Sequence, residues 1–206
     1  MTLTPTVLRE YDRSAPDRTE TRKATVGLGC FWGPDAAFGA LDGVIRTSVG
    51  YAGGTKLDPS YRTLGDHTEV VRLEYDPTTT RYRDILEMAF AEHSPERQAR
   101  NRQYHNVVLV ESDKQAETLD AFLDSRGLDA DSIETRLERL DEFYLAEPYH
   151  QKYNLKSTQW MMTAFDEAGY DATEIRRSPA GAKLNAHVSG HDVSLPFLDA
   201  RSRGQP

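Results

Sequence analysis

The chain has 206 residues, with 25 Lys+Arg against 33 Asp+Glu and a formal net charge of −8. That length suits one domain, or one domain with flanking segments, and the acidic balance argues against a nucleic-acid or anionic-membrane binder, which needs a basic surface. No apolar run approaches the ~18 residues of a membrane span, and the polar opening MTLTPTVLREYDRSAPDRTETRK carries no export segment, so a cytoplasmic location is expected.

Residues 1–23 are polar, with two prolines and no sustained periodicity, and read as an N-terminal arm. Ala24–Gly29 reads as a short strand running into GCFWG at 29–33. Pro34, suited to a first turn, opens a helix with Ala37, Phe38 and Leu41 that stops at Asp42-Gly43. The only cysteine, Cys30, falls at this strand–helix junction. A single cysteine excludes an intrachain disulfide, a Cys-based zinc site and a CxxC pair, and a lone thiol is often just a small buried side chain. At a helix N-terminus, however, unpaired backbone N–H groups and the helix dipole favour a thiolate. Gly29 and Gly33 leave the backbone open to a ligand. Phe31 and Trp32 offer an aromatic wall, although as an isolated pair they read as core packing.

Val44–Ala52 is a second strand, Gly53-Gly54 begins a loop with Pro59 and Tyr61, and Thr68–Tyr75 is a third strand. Glu69 shares a period-2 face with Val71, Leu73 and Tyr75. Desolvation on that face would raise its pKa and favour a neutral acid; taken alone, at the start of the strand, it reads rather as a carboxylate reaching solvent. Asp76-Pro77 turns the chain into a helix with Tyr82, Ile85, Leu86, Ala89 and Phe90. A charged loop at 94–103 leads past Tyr104 to a strand at Asn106–Glu111. Ser112 with Gln115 then gives a capping box for a helix with Ala116, Leu119, Phe122 and Leu123 that ends at Gly127.

Ser132–Leu140 reads as one more strand, Phe143–Leu155 as an aromatic and polar stretch, and Thr158–Ala168 as a last helix. Beyond Gly169 the chain turns polar and ends in RSRGQP, which reads as a poorly packed tail. Interleaved strands and helices of mixed order fit an α+β sheet covered by helices. None of the six histidines lies in an HExxH or similar zinc spacing, and nothing local supports a Cys30–His150 hydrolase pair.

GCFWG at 29–33, GYAGG at 50–54, PSYR at 59–62, GDHTEVV at 65–71, RQYHNVV at 102–108 and FYLAEPYHQKY at 143–153 follow one another in that order. Together they make the chain similar, over about residues 24–157, to the type A peptide methionine sulfoxide reductases. The resemblance implies a two-layer α/β sandwich with a mixed sheet and a ferredoxin-like core, divided into an arm (1–23), a reductase domain (24–169) and an irregular C-terminal tail (170–206). It implies reduction of the S epimer of methionine sulfoxide, with Cys30 as nucleophile, Glu69 as proton donor and the hydroxyls of Tyr61 and Tyr104 on the sulfoxide oxygen. Phe31 and Trp32 would receive the substrate methyl group.

It implies no metal or cofactor, no nucleic-acid or membrane partner, and an external thiol (thioredoxin, glutaredoxin or a small thiol) as reductant in a protein-repair role. Three features depart from the family pattern: a short Thr63–Thr68 link, a loop PERQARNRQYHN with no acidic residue between Glu96 and Tyr104, and a tail without a resolving cysteine. A family member reducing another small sulfoxide, or a non-catalytic thiol sensor, are the alternatives.

Overall fold

Between the turn signals at Gly43, Pro77 and Gly127, the apolar runs and alternations of the sequence become a sheet with helices on it. The computed structural model describes residues 3–195, 197 and 198. In chain order, helix α1 (Pro5–Ser14) precedes a β-α-β-β-α-β unit: β1 (Arg22–Leu28), α2 (Trp32–Ala40), β2 (Val44–Ala52), β3 (Thr68–Tyr75), α3 (Tyr82–Ala91) and β4 (Asn106–Val110). Its strands lie in the order β4-β1-β3-β2 with every neighbour antiparallel, which is the ferredoxin-like arrangement.

Helix α4 (Asp113–Arg126) follows, capped by the Ser112 hydroxyl and closed by Gly127 in the left-handed region. β5 (Arg136–Arg139) then pairs parallel to β4, and β6 (Tyr144–Leu145) pairs antiparallel to β2. The result is a mixed six-stranded sheet. α5 (Tyr153–Lys156), α6 (Gln159–Glu167), α7 (Ala172–Arg177) and α8 (Pro179–Val188) complete the described chain. No helix among the described residues is long and apolar enough to cross a membrane.

One face of the sheet packs Ala24, Val26, Val71, Leu73 and Val108 against Phe38, Ile85, Leu86 and Phe122. A second core joins α1 to the C-terminal helices through Leu8, Leu155, Phe165, Ile175 and Leu184, and here the sequence reading needs two corrections. Residues 5–14 form a helix rather than an arm, because Thr4 caps it, Pro5 suits its first turn, and Leu8 finds a fully buried place. The tail is not irregular over Ala172–Val188: Asp171 and Glu174 form a capping box, Ser178 and Pro179 start α8, and Ala180 and Leu184 align on its buried face. The expected strand over Ser132–Leu140 shortens to β5, and RSRGQP lies outside the described residues.

α8 lies directly on α2, and Gly39 permits that approach: a Cβ there would stand 2.8 Å from the Ala182 carbonyl oxygen. Gly39→Val should therefore lose about 1–3 kcal/mol of stability, as overpacking does. Urea denaturation measures it, and a wild-type midpoint would contradict this contact.

Candidate active site

β1 and β2 leave the sheet at the same end at which β3 and β4 enter it, because all four are antiparallel to their neighbours. The topology thus collects the residues after Leu28, those before Asn106, and the Tyr51–Glu69 register pair at one edge. Gly29 adopts φ 75°, the left-handed turn that a glycine makes without strain, and redirects the chain out of β1. Cys30 follows, exposed to solvent, and Phe31 is the N-cap of α2.

Glu69 is only 1% exposed, so the apolar face of its strand decides its environment and it does not reach solvent. Its Oε2 accepts the Phe31 backbone N–H at 3.0 Å and its Oε1 accepts the Gln103 side-chain amide at 2.7 Å. Burial raises the carboxyl above its ordinary value, and the two hydrogen bonds offset only part of that rise.

The expectation of a helix-stabilised thiolate needs correction. Cys30 precedes the N-cap rather than lying in the first turn, so a single backbone N–H, that of Trp32, reaches it. Partial burial, joined by the negative charge of Glu69, outweighs that bond and pushes the thiol up.

Tyr104, at the end of a short 3-10 turn (Arg102–Tyr104), lies near Glu69, Tyr61 and Cys30; burial and these neighbours push its hydroxyl up to about 12. Tyr61 is 40% exposed and packs its ring 4.8 Å from that of His150. The loop before Tyr104, which carries no acidic residue between Glu96 and Tyr104, is held by Gln98, whose side chain bonds both the N–H and the carbonyl of Asn106.

Aromatic rings wall this edge. Phe31 is buried, with Tyr51 at 6.0 Å and His150 at 5.1 Å between ring centroids, and Trp32 stacks on Tyr153 at 3.7 Å. The reading of Phe31 and Trp32 as core and as wall is therefore one reading, since the core ends at the site. His150 is buried among them, and desolvation holds its ring below the usual histidine value, in the neutral form. Glu147 accepts the Tyr51 hydroxyl at 2.7 Å and the Tyr61 backbone N–H at 3.0 Å. Burial alone would raise Glu147, but these hydrogen bonds prevail and hold it below the ordinary range.

All four chemical candidates, Cys30, Glu69, Tyr61 and Tyr104, thus gather at one sheet edge. Gln103, Glu147 and the wall position of His150 escaped the sequence reading. Their signal was position alone, since Gln103 adjoins Tyr104 and the other two share the FYLAEPYHQKY segment.

Residues 22–178 match the family model described as peptide methionine sulfoxide reductase. The Arabidopsis thaliana protein named peptide methionine sulfoxide reductase A5 is 36% identical over 183 residues, covering 85% of this chain and 70% of its own. Peptide methionine sulfoxide reductase MsrA of Natronomonas pharaonis is 42% identical over 151 residues, covering 68% of this chain and 85% of its own. Among solved structures, methionine sulfoxide reductase A of Corynebacterium diphtheriae aligns with a TM-score of 0.58 at 29% identity, covering 71% of this chain and 78% of that one.

The site's electrostatics make a direct prediction. The rate of Cys30 alkylation by iodoacetamide should rise with pH to a midpoint above ~8.5, the ordinary thiol value. In Glu69→Gln the midpoint should fall, because removing a nearby negative charge favours the thiolate. An unmoved profile would show that the two groups do not interact.

Proposed function

The chain belongs to the peptide methionine sulfoxide reductase family, and on that premise we propose that Cys30 carries a thiol-dependent reduction of the S epimer of methionine sulfoxide, protein-bound or free, to methionine. One observation carries the reading: an exposed thiol stands beside a buried carboxyl whose pKa is raised, with the Tyr104 hydroxyl close to both.

A sulfoxide is a poor electrophile until its oxygen gains a proton, so the reaction needs a sulfur nucleophile and a neutral acid on one substrate. Cys30 gives up its proton and attacks the sulfoxide sulfur. Glu69 donates its proton to the oxygen, and the Tyr61 and Tyr104 hydroxyls donate hydrogen bonds to the same atom. Phe31 and Trp32 receive the methyl group. The substrate's sulfur–oxygen bond breaks as one forms on Cys30; methionine sulfur is reduced by two electrons and Cys30 is oxidised by two, to a sulfenic acid.

No second cysteine exists within these 206 residues to condense with that sulfenic acid. An external thiol therefore attacks Cys30 and releases water. A second thiol then frees Cys30 and leaves with the first as a disulfide. Thioredoxin, glutaredoxin or a small thiol fits this role, and a single exposed free thiol fits a reducing, cytoplasmic setting and a function in repairing oxidised proteins.

Without reductant, each chain should release one methionine and then stall, with Cys30 labelled by dimedone and no intrachain crosslink in the mass spectrum. Cys30→Ser should keep the fold and release none; turnover in that variant would remove Cys30 from the mechanism.

Glu69→Gln should bind substrate yet slow the chemical step by ~10²–10⁴. The defect should shrink as pH falls and solvent supplies the proton. A wild-type rate at neutral pH would contradict the assignment.

A further inference from the structure

Beneath the start of α2 lies a closed polar network that the reaction does not use. Asp35, in the first turn of α2, is 1% exposed, and its Oδ1 meets the Nζ of a fully buried lysine, Lys152, at 2.9 Å. The same ammonium donates to the Thr47 carbonyl oxygen at 2.7 Å and to the Thr47 hydroxyl oxygen at 2.6 Å, and that hydroxyl donates on to Asp35. Lys152 holds a left-handed backbone, φ 52°, a conformation that is strained for a non-glycine residue and persists where its surroundings impose it.

Next to it, Gln151 binds both backbone groups of Val49, at 3.0 and 2.8 Å. Residues 150–152 are thus fastened to β2 and α2, and His150 is held against Phe31. One donor is still required, for Asp35 Oδ2, and it comes from Asn185 on α8, whose Nδ2 lies 3.2 Å away. Asn185 is fully buried, and its Oδ1 accepts the Leu155 N–H of α5 at 3.0 Å.

We propose that Asn185 is a positioning residue for the reductase reaction: it holds the first turn of α2, and through it Cys30, from a helix that lies beyond the family-matched residues 22–178. The inference rests on the reading of Cys30 as nucleophile. Without Asn185, a buried carboxylate oxygen loses its donor, which is among the costlier defects a core can carry. The first turn of α2 then shifts to find another. That turn supplies the Phe31 N–H to Glu69 and the Trp32 N–H to Cys30, both of which stabilise the charged forms, so loosening it should weaken both.

The test uses the full chain and three variants. Asn185→Ala should lower kcat for methionine sulfoxide about tenfold, the scale of loss that a small misplacement of reacting groups produces, with a smaller change in KM. Its Cys30 alkylation profile should move to higher pH. Leu184→Ala, the fully buried neighbour on the same helix, should lower Tm while leaving kcat and the alkylation profile in place. Asn185→Ser, which keeps a shorter donor, should fall between wild type and Ala, and it decides the matter if the Ala variant does not fold.

A wild-type kcat and profile in folded Asn185→Ala (or in Asn185→Ser, should that be the one that folds) would overturn the proposal. So would an equal displacement of both by Leu184→Ala. The alkylation readout needs no turnover, so a failure of the proposed reaction, seen in wild type, is distinguishable from a failure of the positioning role.

Discussion

The hydrogen bond from the Phe31 backbone N–H to the Glu69 carboxyl ties the third strand to the start of the helix after the first. It exists only because β1 lies between β3 and β4, so that the end of one strand adjoins the beginnings of two others. Placing a carboxyl 1% exposed at that edge has a cost, which the Phe31 and Gln103 donors offset in part. Gln103 can reach it because the turn that precedes β4 arrives at the same edge. Sheet order, the left-handed Gly29, the helix start and the turn before β4 are all needed for one carboxyl to have its partners.

That geometry couples two acids. The charge of Glu69 raises the thiol, and burial raises Glu69 itself. Both shifts run towards the protonated forms, and the thiolate becomes easier to form once the carboxyl is neutral. On the proposed reaction this sets a sequence of charges rather than a standing ion pair: the acid must be neutral to donate, and a neutral acid is also what lets the nucleophile ionise. The sign for stability follows the same logic. A carboxyl raised in the folded state penalises the fold where it must ionise, so its contribution improves as pH falls through the folded value.

How much of this was legible in the residues depended on the range of the interaction involved. β2 and β3 have the expected limits because their boundaries are set locally, by Gly43, Gly53 and Asp76. Period-2 alternation indicated the face of Glu69, and capping chemistry indicated α4. Helices α1, α7 and α8 escaped because their apolar residues are few and gain their burial from one another, Leu8 against Leu184 and Ile175, across more than 160 residues of chain. At the site, Cys30, Tyr61, Glu69 and Tyr104 lie in motifs that single them out as candidates. Gln103 and Glu147 serve by where a loop sets them down, and no local pattern encodes that. The thiol's upward shift was missed for a reason of one residue: helix-dipole arguments apply to the first turn, and Cys30 stands just outside it.

The two C-terminal helices also bear on the proposed use of an external thiol. A resolving cysteine on a flexible tail would have to swing to the thiol, yet here the chain over Ala172–Val188 is packed as part of a core, and α8 approaches α2 as closely as Gly39 allows. Burial drives the Lys152 ammonium towards its neutral form and Asp35 opposes that, so this region carries an ion pair whose geometry must stay closed to remain affordable. A segment committed in this way cannot also be mobile. Support of α2 and intrachain resolution by the same stretch of chain are competing uses, and the buried Asn185–Asp35–Lys152 contacts fasten α8 to the first turn of α2. Cys30 itself is exposed, which on the proposed reaction leaves its oxidised sulfur open to a thiol from outside.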